Sequence, residues 1–202
     1  MARWLLYHAG ELRNEIALGR GEVQFRYNSN YVAAEIPGFV EISDIELYVN
    51  VPPNDAYLEL KNSINISMEE IHQTKSGVAY LVKKGVFTDH PMIDNLSIKL
   101  DGLERSSVIK TLKDVKYFIS FDPYTFYSEI AAALGCISII VPQKNSPNKA
   151  ERPWLAINDQ DIESAWNARR ELLESWEKSR GVSRGNVKHF VDFWRNRINK
   201  TE

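Results

Sequence analysis

Cysteine is almost missing from this sequence, since Cys136 is the one cysteine among 202 residues. A lone cysteine excludes an internal disulfide framework and is typical of a reducing compartment. No apolar run approaches the ~20 residues that a membrane span requires, and from the polar character of the first residues we expect no secretory leader. We therefore expect a cytoplasmic protein, either free or peripheral at the inner membrane, with no membrane span.

A strong excess of one sign of charge is also lacking, because 25 basic and 27 acidic residues leave a net charge of −2. This balance removes the main electrostatic argument for a nucleic-acid partner. Four histidines and one cysteine show no zinc-binding spacing. Asp159 and Asp161 have the Asp-x-Asp form of some metal sites, but they precede a helical pattern, which favours capping. We expect no obligatory metal ion and no cofactor.

Two common nucleotide-binding motifs are absent as well: the glycine-rich dinucleotide fingerprint and the Gly-Lys-Ser/Thr phosphate loop. What the sequence does contain is an alternation of short apolar strands with helical patterns. Strand patterns occupy residues 22–27, 45–51, 78–82, 97–100, 117–121 and 137–141. The last two are apolar on both faces and flank a helical pattern at 125–134 that ends at Gly135. This order is typical of a βαβ unit in a parallel sheet that helices cover on both faces. The sequence predicts an α/β fold with a Rossmann-like parallel sheet flanked by helices.

The remaining patterns predict helices and a single domain overall. We expect a linker-like segment over 1–44, an α/β core over 45–158, and C-terminal helices over 159–202 that pack on the sheet. Ser106 or Ser107 is available to cap a helix ending near residue 115. Asp159 or Asp161 is available to cap the first C-terminal helix. Gly181 then predicts an interruption, with Ser183 as the cap of a final amphipathic helix.

The turn that starts at Asp122 is the best candidate site. Asp122 follows a strand, and ligands of open parallel sheets bind beyond the carboxyl ends of strands. Tyr124, Thr125 and Ser128 then surround a predicted helix amino terminus, where hydroxyls and free amides suit a phosphate and the tyrosine ring offers a face for a base or sugar. The alternative is that Asp122 and Thr125 only cap the helix.

A second candidate group follows another predicted strand and opens onto the same edge of the sheet. Lys83 and Lys84, next to Gly85, have the charge to neutralise a pyrophosphate and to stabilise a departing phosphate without proton transfer. A solvated basic turn explains the same residues. His90 is a weak candidate for a general base or a contact to a sugar hydroxyl, and no partner for it is visible. Cys136 opens a buried strand, which favours a structural thiol.

The stretch from Phe118 to Pro142 resembles the donor-binding half of a group of bacterial glycosyltransferases. These enzymes have the two-domain GT-B architecture and serve lipopolysaccharide, capsule or other surface-glycan synthesis. The resemblance extends in order along most of the chain, through Arg3–Gly10, Lys83–Gly85, His90-Pro91 with Asp94, and Asp101-Gly102. It implies metal-independent transfer of a sugar from a nucleotide-sugar to an acceptor. By the same comparison, Asp122–Ser128 face the donor, Lys84 adds charge, and Glu129 lies near the position of a ribose-binding glutamate.

The catalytic base is not implied by the resemblance, and the acceptor-binding half is not matched. We therefore expect a nucleotide-sugar as ligand and either a separate acceptor-domain chain or a homo-oligomer as partner. The alternative is a non-catalytic remnant or partner subunit that binds a nucleotide or another chain. A different phosphosugar or nucleotide enzyme on the same layered fold is a third interpretation, because fold does not fix function.

Overall fold

The structure is a computed structural model, and it describes residues 2–5, 20, 22–26, 40–46, 52–143 and 152–198. Its contacts divide the chain into two compact units. One consists of Met1–Val51 with Glu177–Glu202, and the other is Pro52–Trp176. These boundaries do not coincide with the predicted ones at residues 45 and 159. None of the described helices is long and apolar enough to cross a membrane.

The first unit contains a three-stranded parallel sheet in the order β1-β2-β3. Its strands are β1 (Ala2–Leu5), β2 (Glu22–Arg26) and β3 (Val40–Glu46). The fully buried ring of Phe25 packs edge-on against Phe190 and Phe193, with centroids 5.1 and 5.4 Å away. Edge-to-face packing of this kind is the favoured aromatic geometry. These contacts attach the C-terminal part of the last helix to the small sheet.

The second unit is an α/β layer structure, so the predicted fold class is confirmed. Its four parallel strands are β4 (Val78–Leu81), β5 (Ile98–Lys99), β6 (Tyr117–Ser120) and β7 (Ile137–Ile140). Its helices are α1 (Asn54–Ser63), α2 (Met68–His72), α3 (Arg105–Asp114), α4 (Tyr127–Ala133) and α5 (Ile162–Asn167), and α6 (Arg169–Ile198) begins in this unit. The predicted βαβ unit corresponds to β6, α4 and β7.

Alternate residues of the central strands enter cores on opposite faces of the sheet. Phe118 belongs to the core that includes α1, α3, α4 and the start of α6, whereas Ile119 belongs to the core on the other face, which includes α5. Trp176 is fully buried in the first core. Both faces are therefore covered, as the continuous apolar character of β6 and β7 predicts. The C-terminal helices do pack on the sheet.

Several local predictions are wrong. Gly181 and Ser183 do not break the C-terminal region, because α6 runs without interruption through both. Tertiary packing outweighs the cost of about 1 kcal/mol for a helical glycine. Ser106 and Ser107 do not cap α3, since the helix begins at Arg105 and Glu104 occupies the cap position.

The predicted cap at the start of the C-terminal helices is also different. Asn158, not Asp159, accepts the capping bond from the amide of Gln160, at 3.0 Å, and Asp161 makes no capping bond to α5. Of the strand predicted at 45–51, only residues 45 and 46 belong to β3, and residues 47–51 lie outside the described part. Helices α1 and α2 were not predicted.

Candidate functional site

The strand order of the larger sheet defines a topological switch point. The order is β5-β4-β6-β7, so the chain leaves β4 for β5 on one side and then returns to β6 on the other. The last residues of β4 and β6, Leu81 and Ser120, are direct partners in the register. In open α/β sheets the ligand crevice lies beyond the carboxyl ends of the two strands at such a point. Both predicted site loops leave the sheet here.

The two loops are in close contact at Gly85. A Cβ atom built on Gly85 would lie 1.8 Å from the carbonyl oxygen of Phe121 and 2.9 Å from the backbone nitrogen of Asp122. These distances are shorter than any real Cβ contact, so only glycine permits this approach. The predicted placement of the Lys83–Gly85 turn and the Asp122 turn at one edge of the sheet is therefore observed.

A carboxylate of the neighbouring strand fixes the conformation of the lysine turn. Asp101 follows β5, and its two oxygens accept hydrogen bonds from the amides of Val82 at 2.9 Å and Lys83 at 2.7 Å. Lys83 has φ of +42°, which is uncommon for a residue with a side chain. A carboxylate that accepts two backbone amides stabilises this strained turn. In the sequence, Asp101-Gly102 belongs to the family resemblance without an assigned role, so this contact was not predicted.

The two lysines of the turn are placed differently. The ammonium nitrogen of Lys83 lies 4.6 Å from the ring centroid of Tyr127, the first residue of α4, which is within cation–π range. Its charge is therefore directed from the end of β4 toward the segment that follows β6. Lys84 is exposed, and no contact of its ammonium group is recorded within the described residues. Lys83 is thus the better positioned of the two predicted cations.

The turn after β6 is a buried polar segment. Asp122 is 5% exposed, and its Oδ1 accepts a hydrogen bond from the amide of Tyr124 at 3.1 Å. Thr125 is buried, and its Oγ1 accepts from the amide of Tyr127 at 3.4 Å. Ser128 is fully buried, and its Oγ has no hydrogen-bond partner within the described residues. Phe126 occupies the N-cap position of α4 and no side chain makes a capping bond there, so the hydrogen bonds of Asp122 and Thr125 shape the turn rather than cap the helix.

Tyr124 stands out from this turn because its ring is exposed. Its side chain is 63% exposed, although the next residue, Thr125, is buried. A large exposed ring beside a polar turn offers a flat apolar face to a base or a sugar. The stacking role predicted for Tyr124 stays a prediction.

Glu129 makes structural contacts with both of its carboxylate oxygens. Oε1 forms an ion pair with Nη2 of Arg152 at 2.7 Å, and Oε2 accepts from Nε1 of Trp176 at 3.1 Å. Nη1 of Arg152 also donates to the carbonyl oxygen of Pro123 at 2.9 Å. Glu129 therefore connects α4, the start of α6 and the turn after β6. Its predicted contact to a ribose stays a prediction, and a ligand would have to compete with these partners.

His90 lies in the loop between β4 and β5, and among the described residues its ring makes no hydrogen bond to a carboxylate. Its Nδ1 accepts from the amide of Met92 at 3.3 Å, which places the ring proton on Nε2. Burial lowers the pKa of His90 below its ordinary value of 6.5, and the charge of Asp159 opposes this only partly. His90 is therefore neutral at pH 7 and presents a donor. This arrangement suits a contact to a sugar hydroxyl better than a general base.

Cys136 is a structural thiol, in agreement with the interpretation of the sequence. Its Sγ donates to the carbonyl oxygen of Leu112 at 2.9 Å, and burial raises its pKa to about 11. Within the described residues, no three His, Cys, Asp or Glu side chains are grouped to hold a metal ion. The expectation of metal-independent chemistry stays a prediction.

The structure thus brings six of the eight predicted residues into two adjoining loops and the start of α4. These are Lys83, Lys84, Asp122, Tyr124, Thr125 and Ser128. Glu129 faces Arg152 and Trp176, and His90 lies farther along the loop after β4. Asp101 and Arg152 support the site and were not predicted as site residues, because their partners are distant in sequence. Comparisons with protein-family models, curated proteins and solved structures found no match for this chain.

Proposed function

We propose that the chain binds a nucleotide-sugar at the carboxyl ends of β4 and β6 and acts as the donor-binding part of a glycosyltransferase. One observation carries this proposal: β4 and β6 end in register at the switch point, and their loops touch at Gly85 and Phe121. A crevice at this position is where α/β sheets hold nucleotides. The resemblance to the donor half of surface-glycan glycosyltransferases supports the same ligand class.

The chemistry expected of this site is electrostatic. When a sugar leaves a nucleoside diphosphate, negative charge develops on the departing phosphate. The cations of the two loops are Lys83, whose ammonium lies over Tyr127, and the exposed Lys84. They stabilise that charge without proton transfer. No residue of the described part is assigned as the catalytic base. In our proposal the base comes from the acceptor or from an acceptor-binding partner chain.

Thermal stabilisation by a panel of UDP-, GDP-, ADP- and CMP-linked sugars at millimolar concentration tests the proposal. A ligand of the native state raises the melting temperature. Lys83→Met should reduce affinity for the matching nucleotide about tenfold or more, which corresponds to ~1.4 kcal/mol. Failure of every nucleotide-sugar to stabilise the wild-type chain would contradict the proposal.

A matched control lies just before the start of β6. The ammonium of Lys116 lies 5.4 Å from the centroid of Tyr117, at the start of β6 and therefore at the opposite edge of the sheet. Lys116→Met removes a similar cation–π contact and the same charge without touching the proposed site. We expect it to leave nucleotide affinity unchanged. Equal losses in both variants would indicate a general charge effect.

The alternative of a non-catalytic partner subunit has no specific support in the described residues. Exposed tryptophans would have favoured it, but Trp154 and Trp176 are buried, and Trp166 and Trp194 are only partly exposed. Co-elution with a separate chain would favour this alternative, provided that nucleotide-sugars fail to bind.

A further inference from the structure

Two carboxylates lie in the segment that follows β6, and they differ in what their oxygen atoms contact. Both oxygens of Glu129 are used by Arg152 and Trp176, at 2.7 and 3.1 Å. The carboxylate side chain of Glu129 is only 14% exposed. A hydroxyl group of a ligand would have to displace a charge-assisted bond to reach it, and such bonds are among the strong ones in proteins.

Asp122 has spare acceptor capacity. Its Oδ1 accepts from the amide of Tyr124, whereas Oδ2 has no recorded hydrogen-bond partner in the described part of the chain. Asp122 is nevertheless 5% exposed, so the carboxylate has lost most of its contact with water. Oδ2 is not among the fully enclosed polar atoms that lack a partner in the described residues, so it keeps some contact with solvent and can accept from a ligand that brings an O–H or N–H group.

The position of Asp122 places this acceptor at the proposed site. It lies two residues beyond the end of β6 at the switch point, and a Cβ atom built on Gly85 would lie 2.9 Å from its backbone nitrogen. In the same turn, the fully buried Oγ of Ser128 also lacks a partner within the described residues. The Oγ atom of Ser128 is enclosed by protein atoms, so Asp122 is the group of this segment whose spare acceptor capacity a ligand can use.

The negative charge of the Asp122 carboxylate decides which part of the ligand it contacts. A carboxylate only accepts hydrogen bonds and repels a phosphate, whereas Lys83 and Lys84 on the adjoining loop attract one. We propose that Asp122 accepts hydrogen bonds from hydroxyl groups of a sugar ring in the ligand, and that the lysine turn holds the phosphates. The ring is either the ribose of the nucleotide or the transferred sugar. This inference rests on the proposed function and assigns Asp122 to sugar hydroxyls of the ligand rather than to its phosphates.

Calorimetric titration of three ligand types separates the two sources of the hydroxyls. The probes are UDP, GDP, ADP and CDP, the 2′-deoxy forms of these nucleotides, and their sugar-linked forms. If Asp122 contacts the ribose, the wild-type chain prefers the ribonucleotide over its 2′-deoxy form by about tenfold. If it contacts the transferred sugar, the sugar-linked form binds about tenfold more tightly than the bare diphosphate.

Asp122→Asn then tests the residue itself. Asparagine keeps one carbonyl oxygen for the amide of Tyr124 but loses the charge, so we expect the variant to fold and to lose the preference that the wild-type chain shows. Asp114→Asn is the control and should keep that preference, because Asp114 is the last residue of α3, just before β6 and therefore at the opposite end of the sheet. The inference would be overturned if Asp122→Asn retained the preference or if the wild-type chain showed neither preference. Nucleotide binding in either case would still support the proposed function. Absence of any binding would overturn both.

Discussion

The backbone of Gly85 lies directly against the carbonyl group of Phe121, and a Cβ atom at position 85 would be 1.8 Å from that oxygen. This contact joins the loop after β4 to the loop after β6. Both partners are backbone, so a flexible side chain cannot move aside to relieve an overlap. The geometry of the candidate site therefore depends on a glycine at this position.

Gly85→Ala should destabilise the protein and disturb the site. One of the two loops must move, and we expect a loss of roughly 1–3 kcal/mol in the free energy of unfolding. Nucleotide affinity should fall as well, because the two loops separate. Denaturant unfolding and calorimetric titration of the same variant measure the two effects.

Gly181→Ala is the matched control for this substitution. Gly181 lies inside α6, and no atom beyond its own helix and chain neighbours lies within 4 Å of a Cβ atom built there. Alanine is favoured over glycine in a helix by about 1 kcal/mol, so this variant should be slightly more stable. A Gly85→Ala variant as stable as Gly181→Ala would contradict the close contact of the two loops.

Glu129→Gln should weaken the structure around α4. The change removes the ion pair to Arg152 but keeps an acceptor for the indole N–H of Trp176. Because both charged side chains are mostly buried, at 14% and 16% exposed, we expect a loss of about 1–3 kcal/mol. Denaturant unfolding of Glu129→Gln, Arg152→Met and the double variant measures the coupling between the two residues. Strictly additive losses would contradict a direct ion pair.

The stability of the Pro52–Trp176 unit should rise with pH across the histidine range. Burial lowers the pKa of both His72 and His90 below the ordinary value of 6.5. Just below pH 6.5 the unfolded chain therefore binds more protons than the folded chain, so stability falls as the pH drops. Melting temperatures measured from pH 7.5 down to about 5.5 should decline, and the decline should shrink in His72→Gln and His90→Gln. An unchanged slope in both variants would contradict this origin.

Cys136 should resist alkylation while the protein is folded. Burial raises the pKa of its thiol to about 11, so at pH 8 roughly one thiol in a thousand is ionised. Its side chain is also buried against the carbonyl groups of Leu112 and Val115. Iodoacetamide followed by mass spectrometry should find no adduct in native protein and complete labelling in denaturant. Rapid labelling without denaturant would show that the thiol is accessible.

Much of the larger unit could be predicted from the sequence because its signals are local. The apolar runs of β6 and β7, with Gly135 after the helix between them, define a βαβ unit by themselves. Gly135 has φ of +82°, as expected where a glycine ends a helix. The positions of Lys83 and Asp122 at one sheet edge also follow from local rules, since both come directly after parallel strands.

The supporting contacts could not be predicted because they join residues far apart in sequence. Asp101 accepts from Lys83 at a separation of 18 residues, and Glu129 contacts Trp176 at a separation of 47. No spacing rule links such pairs. The same limit applies to the ion pair of Glu129 with Arg152, whereas the predicted contact of Glu129 to a ribose stays a prediction.

The wrong predictions about α6 have a different cause, because they depend on single residues as stop and start signals. Gly181 and Ser183 are ordinary stop and start signals, yet α6 continues through them. Phe190, Phe193 and Trp194 pack around Phe25, and this burial stabilises the helix beyond the two signals. Local propensity is a weak predictor where tertiary packing decides.

The most direct test of nucleotide-sugar binding at the switch point is an NMR titration of the isotope-labelled 23.2 kDa chain with the nucleotide-sugar that stabilises it most. If the ligand binds between the ends of β4 and β6, the largest amide shift changes should fall on residues 83–85 and 122–128, and Lys83→Met should diminish them. Amide changes confined to other parts of the chain, or none at millimolar ligand, would contradict the proposed function.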